Sequence, residues 1–160
     1  MSQHALRDTL WTAGKAYKMA SFGMRAMMSL RLDRFFGSWM SEFSPDYTAA
    51  ETGLERFINF KKNTDFFGRA VAEAERDNPS IRQLLVFEVD ALGPDVEAYK
   101  AVFINNEVQG FCTSGGYSHH VDKSIAFALV PRSWVTDHLA AKIEILGQRR
   151  ETKTLLEPLL

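Results

Sequence analysis

Several features by which chemistry is often recognised are scarce in this sequence. Cys112 is the single cysteine in 160 residues, so no disulfide can form within the chain and a reducing compartment is expected. No Cys-x-x-Cys spacing occurs, and the adjacent His119 and His120 would point to opposite faces of a strand. The sequence therefore predicts no metal site. A lone thiol at a strand end is more typical of packing than of a nucleophile.

Charge of one sign and long apolar runs are also lacking. The formal net charge is −1 at pH 7, which gives no electrostatic reason to bind nucleic acid. No run of 18 apolar residues is present, so no membrane-spanning segment is predicted. The first residues lack the apolar core of a signal peptide. We expect a cytoplasmic protein that binds neither nucleic acid nor a membrane.

What is present is an ordinary globular composition that changes character along the chain. Hydrophobic residues make up 46% and charged residues 24% of the sequence. Residues 1–78 carry Trp, Met and Phe at helical spacing, whereas residues 79–160 alternate β-branched residues with Gly, Asn and Pro. This predicts an α+β protein. A helix-rich segment with a few strands (1–78) is followed by a small antiparallel β-barrel or jelly-roll domain (79–160).

The helical part yields four predicted elements. Leu6, Leu10, Ala13 and Tyr17 mark one face of a first helix, which Gly14 can end early. The other predicted elements are a helix over 24–36, a strand over 57–62 and a helix over 66–76 capped by Asp65.

The second part is predicted to be all β. Asn105-Asn106 indicates a two-residue hairpin turn, because both residues tolerate positive φ. Ser114-Gly115-Gly116 is interpreted as a turn with a tight backbone path, since neither a nucleophile elbow nor a helix for phosphate binding accompanies it. The predicted strands span 83–89, 99–104, 107–113, 124–130, 142–146 and 149–156.

Two charged pairs could contact a ligand. Arg31 and Asp33 lie two residues apart on the second helix, with Trp39 beyond them. The carboxylate could accept paired N–H donors from a flat ring while an aromatic side chain stacks on it. The alternative is a surface ion pair on an amphipathic helix. Similarly, Lys61 and Lys62 could hold a ligand carboxylate, or simply end a solvated strand.

Five segments together resemble one known family. These are Phe22-Gly23-Met24-Arg25-Ala26 with Ser29-Leu30-Arg31-Leu32-Asp33, Thr48 to Leu54, Asp65 to Ala70, Thr113 to Pro131, and Ile145 to Arg150. They resemble, in order, motifs of the glycine-cleavage T-protein (aminomethyltransferase) family. The residues of these motifs are most similar to the folate-binding C-terminal region of dimethylglycine and sarcosine dehydrogenases.

The resemblance implies a folate site. The family's pterin-binding glutamate falls on Asp33, its aromatic neighbour on Trp39 and a basic folate contact on Lys62; Arg31 completes the candidate set. Two residues depart from the pattern. Asp33 is one methylene shorter than glutamate, and Ala49 stands where the family has proline.

The resemblance also implies what this chain does not contain. The family's catalytic aspartate lies in an N-terminal half without a counterpart here, so no catalytic residue is assigned. No Gly-x-Gly-x-x-Gly occurs, so no FAD site is expected. Three interpretations stay open: the C-terminal part of a tetrahydrofolate-dependent one-carbon transfer enzyme, a non-catalytic folate-binding or subunit-interaction module, or an inactive truncated fragment. The expected partners are folate, the missing N-terminal half or a partner subunit, and further copies of the chain.

Overall fold

Six antiparallel strands close into a barrel in the second half of the chain. The computed structural model describes residues 2–91, 93–136 and 138–160. The strands are β1 (Arg82–Val89), β2 (Ala101–Ile104), β3 (Glu107–Ser118), β4 (Lys123–Pro131), β5 (Ala141–Ile145) and β6 (Gln148–Leu155). Their order around the barrel is β1-β4-β3-β2-β5-β6. Closure pairs every strand with two neighbours and leaves no open sheet edge. The predicted α+β class with a small barrel is confirmed.

In the part of the chain that the structure describes, three helices precede the barrel: α1 (Gln3–Gly14), α2 (Met24–Asp33) and α3 (Arg69–Asp77). Short 3₁₀ turns occur at Lys15–Tyr17, Leu54–Phe57 and Arg132–Trp134. No helix in the described ranges is long and apolar enough to cross a membrane. α1 ends at Gly14, as the sequence predicted, and none of its residues is buried.

The barrel wall is apolar on its inner face and on part of its outer face. Alternate residues of β4 separate the two faces: Ala126 and Ala128 pack inside, whereas Ile125 and Phe127 face outward. Leu32 of α2 joins the outward cluster and is almost fully buried there. The apolar patch outside the barrel therefore fixes the position of α2.

Local turn chemistry predicted the hairpin between β2 and β3. Asn105 and Asn106 have φ of 52° and 67° and join β2 to β3, which confirms the two-residue turn. Leu146 and Gly147, with φ of 49° and 76°, similarly join β5 to β6.

Other local predictions were wrong. The strand over 57–62 is absent, because the backbone there forms the Leu54–Phe57 turn and then irregular structure. Ser114-Gly115-Gly116 is not a turn but lies inside β3, paired with β4. The second helix ends at Asp33, since Phe35 has a left-handed φ of 53°. The third begins at Arg69 after Gly68, while the Asp65 carboxylate accepts a hydrogen bond from the Phe66 amide.

Gly115 and Gly116 of β3 should respond differently to substitution. A Cβ on Gly115 would lie 2.6 Å from the carbonyl oxygen of Val96, whereas one on Gly116 would lie 3.2 Å from Cδ1 of Leu32. The backbone of Val96 cannot shift as readily as the end of the Leu32 side chain. We expect Gly115→Ala to lower the free energy of unfolding by about 2 kcal/mol or more, and Gly116→Ala by less than about 1 kcal/mol. Urea unfolding followed by circular dichroism measures both; equal losses would contradict the close backbone approach.

Candidate functional site

The end of α2 is shaped by an abrupt turn of the chain. The amide of Phe36 donates to the Arg31 carbonyl at 2.9 Å, and that of Phe35 donates to the Leu32 carbonyl at 3.0 Å. Phe35 adopts its left-handed conformation at this point, which is uncommon for a bulky residue and is held by packing of its ring against Phe127. The helix thus ends with Asp33 next to the barrel wall.

A buried carboxylate, Glu42, joins this turn to the barrel. Its side chain is 0% exposed and accepts hydrogen bonds from the Ser38 amide at 2.8 Å and Arg31 Nη1 at 3.1 Å. The hydroxyls of Thr113 and Ser114 donate to its other oxygen at 2.7 and 2.5 Å. Four donors therefore satisfy the charge of a carboxylate that is shielded from solvent.

A bulge in β3 makes this arrangement possible. Consecutive side chains of a regular strand face opposite ways, yet Thr113 and Ser114 both reach Glu42. The pairing of β3 with β4 shifts register between Cys112 and Ser114, so Thr113 is the extra residue. Bulges commonly redirect a side chain in this manner.

The partners of Arg31 decide between the two interpretations of the Arg31 and Asp33 pair. The Arg31 side chain is 9% exposed, and its Nη1 donates to Glu42 and to the Phe36 carbonyl at 3.1 Å. The guanidinium also stacks over Phe127 at 5.5 Å. A surface ion pair with Asp33 is therefore ruled out. Arg31 Nη1 is held in an internal network, whereas its Nε and Nη2 are buried and have no hydrogen-bond partner among the described residues.

Asp33 is buried but incompletely bonded. The residue is 2% exposed, and its backbone carbonyl accepts the Leu159 amide at 2.8 Å. Within the described part of the chain, its Oδ1 has no hydrogen-bond partner. Since buried polar atoms are nearly always paired, this carboxylate is suited to accept an N–H donor from a bound molecule.

Among the described residues, neither Trp39 nor Lys62 forms a hydrogen bond or an ion pair with Asp33. Trp39 is 72% exposed, which leaves its indole face available for stacking. Lys62 is exposed, and its backbone carbonyl accepts Arg69 Nη1 at 2.9 Å. Of the four predicted residues, Asp33 and Arg31 thus have buried polar atoms without a hydrogen-bond partner within the described ranges, and Asp33 is the one that can accept an N–H donor.

Glu51 is a second structural carboxylate that the sequence reasoning left without a role. Its side chain accepts the Thr48 amide at 3.0 Å, while its own amide donates to the Thr48 hydroxyl at 3.2 Å. Glu51 also accepts Arg82 Nε at 3.0 Å, and its carbonyl accepts the Leu84 amide at 2.7 Å. The Thr-x-x-Glu spacing of a capping box could have signalled this contact. No comparable local signal marks Glu42.

Two clefts lie beside α2, and residues on either side of Asp33 line them. One cleft, of about 460 Å³, includes Leu32 in its wall. The other, of about 310 Å³, includes Arg34. Asp33 lies between Leu32 and Arg34 in the sequence but is not itself among the lining residues of either cleft.

Metal and thiol chemistry find no support in the described residues. Across the described ranges, His, Cys, Asp and Glu side chains form no group of three that could hold a metal ion. Cys112 is fully buried in the barrel interior, and burial raises the pKa of its thiol to about 12. The thiolate that a nucleophile needs is therefore scarce at neutral pH.

Comparison with known families assigns both halves of the chain. Residues 82–160 match the model described as the glycine cleavage T-protein C-terminal barrel domain, and residues 1–62 match the GCVT N-terminal domain. The chain belongs to the glycine-cleavage T-protein family. The resemblance seen in the sequence motifs is thereby confirmed.

Relatives within the T-protein family are considerably longer than this chain. The human mitochondrial dimethylglycine dehydrogenase is 32% identical over 156 residues, which cover 98% of this chain and 18% of that protein. The aminomethyltransferase of Geobacillus sp. (strain WCH70) is 30% identical over 154 residues, covering 96% of this chain and 42% of the relative. The chain thus spans about a fifth to two fifths of the length of these relatives.

A solved structure supports the fold. The glycine cleavage system aminomethyltransferase T from Bartonella henselae superposes with a TM-score of 0.83 at 20% identity. The match covers 99% of this chain and 44% of that one. At this identity the likeness concerns the fold alone, and it shows that the T-protein architecture includes the helices as well as the barrel.

The network around Glu42 should be important for stability. Glu42→Ala leaves the Arg31 guanidinium buried without its carboxylate, which we expect to lower the free energy of unfolding by about 3–5 kcal/mol. The matched control is Glu151→Ala, which removes an exposed ion pair with Lys142 and should cost less than about 1 kcal/mol. Urea unfolding measures both losses, and similar values for the two variants would contradict a structural role for Glu42.

The thiol of Cys112 should be inert in the folded protein. Because the pKa of this thiol is raised to about 12, the thiolate fraction falls steadily as pH decreases below that value. We expect negligible reaction with a thiol reagent at pH 8 in buffer, and complete reaction of one thiol per chain in urea. Rapid labelling of the native protein would contradict the burial of Cys112.

Proposed function

We propose that this chain is the C-terminal part of a tetrahydrofolate-dependent protein of the aminomethyltransferase kind, acting in one-carbon transfer. The observation that carries the proposal is the unpaired, buried Oδ1 of Asp33. Membership of the T-protein family and the similarity to enzymes named aminomethyltransferase and dimethylglycine dehydrogenase support it.

Each candidate residue has a proposed role in folate binding that its surroundings allow. Asp33 accepts hydrogen bonds from N–H groups of the pterin ring, which are complementary to a carboxylate. The exposed indole of Trp39 stacks on a flat ring, and Lys62 pairs with a ligand carboxylate. Arg31 acts indirectly, because its contact with Glu42 holds the end of α2 in place.

The residues of this chain bind and orient rather than carry out a chemical step. Tetrahydrofolate, when bound, supplies the N5 amine that takes up the one-carbon unit. Asp33 would fix the ring, and positioning of this sort contributes strongly to such reactions. No catalytic residue is proposed within the described part of this chain, and catalysis would draw on further T-protein residues in the same polypeptide or a partner.

A second candidate function is supported by α1. Leu6 and Leu10 on its predicted apolar face are half exposed, and no residue of the helix is buried. An apolar helix face left in solvent is typical of an interaction surface. The chain would then serve as a subunit-interaction module, with either T-protein residues or another copy of itself as the partner.

We propose a cytoplasmic setting. The free, buried Cys112 is compatible with a reducing compartment. The animal dimethylglycine dehydrogenases to which the chain is similar are named as mitochondrial.

Isothermal titration with 5-formyl-tetrahydrofolate tests the folate proposal. We expect saturable heat with the wild-type chain and a loss of affinity of about tenfold or more in Asp33→Asn, which keeps the shape and removes the charge. Asp33→Glu, with the longer reach, should bind at least as tightly as the wild type, and Trp39→Ala should bind more weakly.

The control variant is Asp122→Asn, an exposed carboxylate in the β3–β4 turn, which should leave the affinity unchanged. Equal affinity in the wild type and Asp33→Asn would reject the site assignment. An absence of heat from every folded variant would reject folate binding by this chain and favour the interaction module.

A further inference from the structure

The second cleft beside α2 is lined by five parts of the chain. They are the residues that directly follow α2, Phe43, the turn around residue 54, the first half of β1, and the end of β6 with the chain after it. The volume of about 310 Å³ is at the lower end of the range for small-molecule sites, about 300–1,000 Å³. Its exposed wall is about equally polar and apolar, and the apolar lining residues are Phe35, Phe36, Phe43, Leu54, Leu84, Leu85, Val86, Leu155, Leu156 and Pro158.

The charge of this cleft is of one sign. Arg34 and Arg56 line it, and its described lining residues include no Asp or Glu. Among the residues that the structure describes, no carboxylate lies within ion-pair distance of either guanidinium. The cleft on the other side of α2 differs, because there Arg25 is accompanied by Asp95 and Glu97. A positive, acid-free lining is notable in a chain whose net charge is −1.

Contacts within the protein hold the aromatic side chains and one arginine of this cleft in place. Phe36 and Phe43 pack edge to face with centroids 5.6 Å apart, although Phe36 remains 57% exposed. The guanidinium of Arg56 stacks over the Phe57 ring at 5.0 Å, which restricts its motion. An exposed ring beside a restrained guanidinium is complementary to a molecule with an apolar body and an anionic end.

We propose that this cleft binds a small amphipathic carboxylate, whose hydrocarbon or aromatic body packs against Phe36 and Leu54 and whose carboxylate pairs with Arg34 and Arg56. The site goes beyond the folate proposal, because neither Asp33, Trp39 nor Lys62 lines the cleft. No covalent step is involved, and binding is reversible.

The probe is 4-phenylbutyrate, titrated into the ¹⁵N-labelled 160-residue chain and followed by NMR. We expect saturable shifts confined to residues 34–36, 43, 52–56, 83–86 and 155–158. Its neutral counterpart, 4-phenylbutanol, has the same body without the charge and should bind at least about fivefold more weakly. Equal affinities for the acid and the alcohol would overturn the role of the arginines.

Charge-removing variants locate the site. Arg34→Gln and Arg56→Gln alter exposed side chains, so both should fold, and each should weaken 4-phenylbutyrate binding by about fivefold. Arg25→Gln, in the neighbouring cleft, is the matched control and should leave the affinity unchanged. Unaltered affinity in both cleft variants would overturn the proposal, as would the absence of saturation at about 10 mM ligand.

One further variant separates this inference from the folate proposal. Asp33→Asn should bind 4-phenylbutyrate as the wild type does, whatever its effect on 5-formyl-tetrahydrofolate. A parallel loss of both affinities in Asp33→Asn would overturn the proposal of an independent site.

Discussion

The carboxylate of Glu42 lies where the end of α2, the segment that follows it and strand β3 meet. Placing a charge in a 0% exposed position is costly unless hydrogen bonds replace the lost water, and four donors do so here. The bulge at Thr113 supplies two of the hydroxyls, and Arg31 supplies the compensating charge. The carboxylate therefore links the helical part of the chain to the barrel.

The position of Asp33 follows from this link. Arg31 holds the last turn of α2 on one side, Leu32 is buried in the apolar cluster outside the barrel, and the Asp33 carbonyl accepts the Leu159 amide. Three kinds of interaction thus fix three consecutive residues at the end of α2. A binding group held in this way loses little conformational freedom when it meets a ligand, which favours affinity and precise orientation. The barrel accordingly supports the candidate site without contributing its principal residue.

The sequence predicted features that depend on neighbouring residues and missed those that depend on distant ones. The turn at Asn105-Asn106 follows from the backbone preferences of two residues, and the α+β class follows from periodicity. Glu42, in contrast, meets Thr113 and Ser114 across 71 and 72 residues, and a bulge that no local pattern announces brings both hydroxyls to it. The segment over 57–62 has strand-forming residues but no strand partner, since the barrel is closed without it.

The contrast between the two buried carboxylates beside α2 indicates which of them serves a ligand. Glu42 has a donor for each of its oxygens, so a ligand would have to displace existing hydrogen bonds to reach it. Asp33 has an unpaired buried oxygen, which costs about 1–3 kcal/mol in the folded protein. A ligand N–H group would recover that cost on binding. Of these two carboxylates, the hydrogen bonds thus favour Asp33 as the one that binds a ligand. This argument is separate from the motif that aligned Asp33 with the family's pterin-binding residue.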